Sequence, residues 1–143
     1  MTYMNTQEWS PDELRIRAER YCATAERCES EVRIKLRQWN CNPKNADEIV
    51  DFLRSGNFIN DLRYACAYVH DKLAYQGWGR VKIESMLRSK KLPLPTIREA
   101  LNTIDENEYF KQLKHLISIK SFNALLLRGF TAEEIKQASP EAT

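Results

Sequence analysis

Four cysteines, at 22, 28, 41 and 66, and two histidines, at 70 and 115, are the side chains best suited to hold a metal or attack a substrate. Their spacing favours neither. A tetrahedral zinc site takes ligands in closely spaced pairs, and no C-x-x-C pair occurs. The histidines stand far in sequence from most of the thiols, and neither falls in a motif with a nucleophile or an orienting carboxylate. No glycine-rich phosphate loop and no G-x-S-x-G elbow is present. The expectation is a non-enzyme without metal or cofactor, its cysteines small buried or capping residues in a reducing compartment. Asp61 and Arg63 open a long central helix, where Asp61 complements the helix dipole and needs no catalytic role.

Positive charge is the remaining resource. The net charge is only +2 over 143 residues, so a global polyelectrolyte argument fails. The distribution is uneven. Residues 77–99 contain six basic and two acidic residues, and residues 111–130 four basic and none acidic. The candidate binding residues are therefore Arg80, Lys82, Arg88, Lys90, Lys91 and Arg98, then Lys111, Lys114, Lys120 and Arg128. Arg80, Glu84, Arg88 and Lys91 share one helical face. That face reads either as a strip for an acidic groove or phosphates, or as a solvated surface with Glu84 and Arg88 as an i,i+4 pair. Trp78, between two glycines, reads either as an exposed anchor or as a plug of apolar area between helices. Tyr64, Tyr68 and Tyr75 read as residues at the core's edge, and Trp39 as packed under its own turn.

The elements that would carry these residues are helices. Apolar positions recur at helical spacing nearly throughout, and four glycines and five prolines leave room for long helices between them. Leu14, Ala18, Tyr21, Cys22, Ala25 and Cys28 form one stripe. Val32 and Leu36 lie on a second helix. Ile49, Val50, Phe52 and Leu53 lie on a third, with Gly56 as its left-handed end. Asn60 caps the next helix, which carries Leu62, Ala65, Cys66, Val69 and Leu73. Ile83, Met86 and Leu87 follow. Pro95 suits the first helical position, N1, of a helix bearing Ile97, Ala100, Leu101 and Ile104. Tyr109, Phe110, Leu113 and Leu116 begin the last third, then Phe122, Leu125 and Leu126. Gly129 ends that helix, and Thr131 with Glu134 spells a capping box. No apolar run approaches the roughly 20 residues that span a bilayer, so a soluble, cytoplasmic protein is expected.

The chain repeats itself. Leu36, Leu87 and Leu125 each end a helix and are followed five residues later by an apolar residue, Cys41, Leu92 and Phe130. A helix opening on Ile49, Ile97 and Ile135 comes next, with three extra residues in the first copy's turn. One such unit cannot bury its own apolar face, so neighbours must stack. The expected fold is all-α: an elongated, curved array of tandem three-helix repeats, three units in all. They are placed at 11–57, 58–104 and a shorter 105–139, with flexible termini at 1–10 and 140–143.

These residues resemble the RecX family, bacterial regulators of the recombinase RecA. The likeness begins at Ala18 to Leu36, with Ala25-Glu26-Arg27-Cys28, Glu31-Val32 and Leu36. It is most specific in the run Phe58 to Ala65, then Tyr68, Lys72 and Gly77-Trp78-Gly79-Arg80 with Lys82, Ile83 and Leu87. Ile97, Ala100-Leu101 and Leu127-Arg128-Gly129-Phe130 complete it. The chain departs from the pattern at Cys28, where a helix-capping Ser is expected, and at Asn40 and Lys91, where a helix-ending Gly is usual.

The resemblance implies a monomer that binds along the groove of the RecA–DNA filament. It would there inhibit or tune ATP hydrolysis, strand exchange and the coprotease activity of the SOS response, within DNA repair and homologous recombination. Single- or double-stranded DNA is a further expected contact. The alternative is a helical DNA-binding protein acting independently of RecA.

Overall fold

The structure is a computed structural model that describes residues 8–140. Of the termini expected to be flexible, 1–7 and 141–143 lie outside the described residues. Every regular element among the described residues is helical. The helices are α1 (Pro11–Thr24), α2 (Glu29–Gln38), α3 (Pro43–Ser55), α4 (Asp61–Asp71), α5 (Arg80–Ser89), α6 (Leu94–Leu101), α7 (Glu106–Ile117), α8 (Phe122–Leu127) and α9 (Ala132–Ala138). No helix among them is long and apolar enough to cross a membrane.

Side-chain caps set where these helices begin. Ser10, Asn42, Asn60, Asp105 and Ser121 each accept the backbone N–H three residues on, at 2.8–3.2 Å. Each cap satisfies an orphan donor and stabilises its helix by about 1 kcal/mol. Thr131 accepts the Glu134 N–H at 3.0 Å while the Glu134 carboxylate accepts the Thr131 N–H at 2.8 Å, the reciprocal box read from the sequence. At Cys28 the thiol lies 3.1 Å from the Ser30 hydroxyl, and Glu31 accepts the Cys28 N–H at 3.0 Å. The glutamate thus serves a start whose cap residue is a poor acceptor.

The left-handed positions mark the ends. Asn40 (φ 60°), Lys91 (φ 65°) and Gly129 (φ 96°) each follow the second helix of a repeat, and each N–H donates to the carbonyl three residues back. Two residues before the ends of the helices they follow stand Leu36, Leu87 and Leu125, which are 0%, 0% and 1% exposed. Ile49, Ile97 and Ile135 are buried on the helices that come next. The triplicate pattern of leucine, left-handed residue and isoleucine is therefore present in the backbone.

Several sequence expectations need correction. Gly56 has an ordinary φ of −85°, and Asn57 (φ 61°) takes the left-handed place; Gly56 instead leaves room for the Phe58 ring. The α1 stripe stops at Cys22, because the helix ends at Thr24 and Ala25 is exposed. Helix α6 starts at Leu94, so Pro95 is its second residue. Tyr75 is 79% exposed and lies outside any core edge, and Phe52, Met86, Phe122 and Leu126 are also exposed. Periodicity alone cannot separate the centre of an apolar stripe from its shoulder. The end of α4 was also not foreseen: its last turn widens into a π-helical segment, Lys72–Gln76, closed by Gly77 at φ 64°.

The described residues form two compact units, divided between Tyr64 and Ala65. The first packs Leu14 and Ala18 of α1 on Val32 and Leu36 of α2 and on Ile49 and Leu53 of α3. Burying each large side chain is worth about 1.5–3 kcal/mol. In the second, Ile83, Leu87, Ile97 and Ala100 are buried on α5 and α6. Leu113 and Leu116 of α7 pack with Leu125 of α8, Phe130, and Ile135 of α9. The repeat boundary expected at 104/105 falls inside this second unit.

Candidate partner-binding surface

The segment Gly77-Trp78-Gly79-Arg80 does two jobs in the second unit. Its glycines let the backbone of α5's first turn meet the turn between α8 and α9. The Gly79 N–H donates to the Arg128 carbonyl at 2.7 Å and the Val81 N–H to the Gly129 carbonyl at 3.2 Å. A Cβ on Gly79 would stand 2.4 Å from the Gly129 oxygen, and one on Gly129 2.4 Å from Lys82 Cβ. No other residue fits either place.

Arg80 completes this joint. Its guanidinium pairs with Glu106 and, at 3.2 Å, with Glu134, and lies 4.0 Å from the Tyr109 ring centre. The Arg80 N–H donates to the Tyr109 hydroxyl at 3.1 Å. Burial pushes the Tyr109 phenol up, so it stays neutral. Arg128 behaves alike, donating to the Gln76 carbonyl at 2.6 Å. Arg80 and Arg128 are thus engaged within the chain.

Trp78 forms the second element. Its ring is partly buried and meets Tyr68 edge-on, 6.4 Å between centres. The ammonium groups of Lys82 and Lys72 lie 4.3 and 4.9 Å from the indole centre, and those of Lys72 and Lys90 lie 5.2 and 5.9 Å from Tyr68. Packing and display therefore coincide at Trp78, which shields one side of the unit and gathers cations over its ring. Lys72 and Tyr68 stand outside the ten candidate cations and the candidate anchor; a basic residue four after an aromatic is the sequence signal for such a pair.

Six of the other candidates are open to solvent. Arg88, Lys91, Arg98, Lys111, Lys114 and Lys120 are exposed, and none pairs with a carboxylate within 4.0 Å among the described residues. Nor does Glu84 pair with Arg88. Arg88 and Lys91 stand at the end of α5 beside Lys90, where the helix's free carbonyls favour cations. Nothing in the structure ties Arg98, Lys111, Lys114 or Lys120 to that group.

Both histidines line one cleft of about 710 Å³ with Val69, Leu73, Ile104 and Tyr109. No group of three or more His, Cys, Asp or Glu among the described residues could hold a metal ion. The four thiols are free, and burial raises those of Cys22 and Cys41 above the ordinary cysteine value, away from the thiolate.

All-helical folding into short three-helix repeats defines a tandem-repeat protein. Comparison with known proteins gives the class its family. The description "RecX, first three-helix domain" matches residues 15–53, and "RecX, second three-helix domain" matches residues 60–101. The chain belongs to the RecX family.

Regulatory protein RecX of Clostridium acetobutylicum is 32% identical over 110 residues, covering 76% of this chain and 50% of that protein. Regulatory protein RecX of Listeria monocytogenes is 28% identical over 134 residues, covering 82% of this chain and 49% of that protein. The chain thus spans about half the length of these curated relatives. The crystal structure of RecX from Lactobacillus salivarius superposes with a TM-score of 0.79 at 22% identity, over 92% of this chain and 96% of that one. At that identity the likeness establishes the shared fold.

Proposed function

We propose that this chain binds the RecA–DNA filament and tunes its ATPase, strand-exchange and coprotease activities, acting as a monomer in the cytoplasm and without catalysis of its own. Membership of a family whose curated members are named regulatory proteins carries this reading. Three repeats at 11–57, 58–104 and 105–139 would each add a modest contact, and linked contacts multiply in strength. Arg88 and Lys91, exposed at the end of α5, are the contacts proposed first, with Lys82, Lys90 and Trp78 beside them and Arg98, Lys111, Lys114 and Lys120 as outlying cations. Arg80 and Arg128 act through the joint they hold.

The test is RecA ATPase on single-stranded DNA with the chain added below stoichiometry. A changed rate or filament lifetime is expected, and an unchanged rate at saturating chain would refute the reading. The alternative, a helix-turn-helix-like duplex binder independent of RecA, has the basic run at 77–99 in its favour. Sequence-specific affinity for duplex without RecA would select it.

A further inference from the structure

Leu36, Leu87 and Leu125 occupy equivalent buried positions on the second helices of the three repeats. Three residues before them stand Arg33, Glu84 and Phe122. One residue after them stand Arg37, Arg88 and Leu126, and two after, Gln38, Ser89 and Leu127. The first two repeats thus set charged or polar side chains where the third sets large apolar ones.

Burial within the chain does not account for the change. Phe122, Leu126 and Leu127 are 51%, 40% and 79% exposed, and Ile119, just ahead of α8, is 61% exposed. Phe122 and Leu126, four apart, share one face of the helix. The six residues of α8 contain no charge. Single apolar residues on a surface are ordinary, but a contiguous apolar strip marks a contact site.

Charge selects the kind of contact. Residues 109–132 contain no carboxylate, and Lys120 and Arg128 flank α8 at its two ends. Lys120 is exposed, and Arg128 donates to the Gln76 carbonyl, which does not neutralise it. A second copy of this chain fits poorly. Two such faces related by a twofold axis would set Lys120 of each copy against Arg128 of the other. Six helical residues also rise only about 9 Å, too narrow a strip for the roughly 800 Å² per partner of a stable dimer. A single helix with an apolar face and acidic flanks matches both the width and the charge.

We propose that the exposed face of α8 docks an acidic amphipathic helix of another protein. Leucine-like side chains at helical spacing would cover Phe122, Leu126 and Leu127, and carboxylates beside them would meet Lys120 and Arg128. Neither recombinase nor nucleic acid is required, so the site stands or falls apart from the filament reading.

The experiment is fluorescence anisotropy of a labelled synthetic peptide titrated with the whole chain alone. The peptide has about 18 residues, enough to form a helix, with leucine at i, i+3, i+4 and i+7 and glutamate on the flanks. It should bind, and more weakly as salt rises. The double variant Phe122→Gln with Leu127→Gln should weaken binding by about tenfold or more. Lys120→Glu should weaken it too, and should favour a peptide with lysine in place of glutamate. Ile34→Gln, at an exposed apolar position on α2, should change nothing. Circular dichroism checks the fold of each variant, and Lys120→Glu keeps the test valid if the double variant is perturbed.

The proposal is overturned by absence of binding, by equal affinity for a scrambled peptide of the same composition, or by wild-type affinity in every folded variant. Self-association of the chain that the double variant abolishes would make the occupant a second copy and also overturn it. Co-pelleting with phosphatidylglycerol vesicles, lost in the same variant, would make it a lipid surface, with the same consequence.

Discussion

Lys91 occupies a backbone conformation that costs a side-chain-bearing residue about 1 kcal/mol relative to glycine. Lys91→Gly should therefore raise the melting temperature by about 3–5 °C while removing an exposed cation from the end of α5. If Lys91 touches the filament, the more stable variant binds it less tightly; thermal unfolding and a filament titration on one sample check both halves. Arg80 behaves oppositely. Arg80→Ala strips Glu106 and Glu134 of their partner and should destabilise the chain by about 1–2 kcal/mol in denaturant unfolding. Charge reversal there would confuse a lost contact with a broken joint, so Arg88 and Lys91 are the informative positions.

Glu29 titrates in a definite direction. Burial alone would raise its carboxyl, but hydrogen bonds from Arg33 and Arg54 outweigh burial and hold it below the ordinary glutamate value. A lowered folded value means stabilisation that is present above the unfolded pKa, about 4.3, and is lost as pH falls through the folded one. The Glu29→Gln variant should thus lose less stability than wild type on acidification from about pH 5 to 3, read from denaturant midpoints. An equal loss in both would remove Glu29 from the acid response.

Among the helices, the junction of α5 with the α8–α9 turn is the most demanding. It needs two glycines, two backbone hydrogen bonds and Arg80 together. Gly79→Ala drives a methyl into the Gly129 carbonyl and should cost about 1–3 kcal/mol, measured by chemical unfolding; a neutral effect would show that the junction can give way. Leu87→Ala, at a fully buried site, should cost about 2–5 kcal/mol.

The helices themselves were readable in the sequence because caps and glycines act locally: Asn60, Thr131 with Glu134, and Gly129 are where their residue types place them. Partner choice was not readable. That Arg80 faces Glu134 rather than solvent depends on residues 54 positions away, and helical periodicity carries no such information. The four exposed apolar residues assigned to stripes show the same limit, since spacing gives a face but not its depth.

For the molecule as a whole, the small net charge conceals where charge is placed. The second unit commits Arg80 and Arg128 to its own architecture and leaves Arg88 and Lys91 exposed. The first sets Arg17 between two indoles, those of Trp9 and Trp39, although nothing along its sequence stands out. The repeat was visible as leucine, turn and isoleucine at nearly constant spacing, because each unit solves the same burial problem. The proposed binding to a polymer predicts that weak contacts must act jointly, so single substitutions at exposed cations should each have small effects and paired ones larger.

Co-sedimentation with preformed RecA filaments on single-stranded DNA tests this most directly. The wild-type chain should pellet with the filaments, and the Arg88→Glu, Lys91→Glu double variant should remain largely in the supernatant while keeping its helicity. A wild-type chain that stays in the supernatant at every filament concentration would contradict the account.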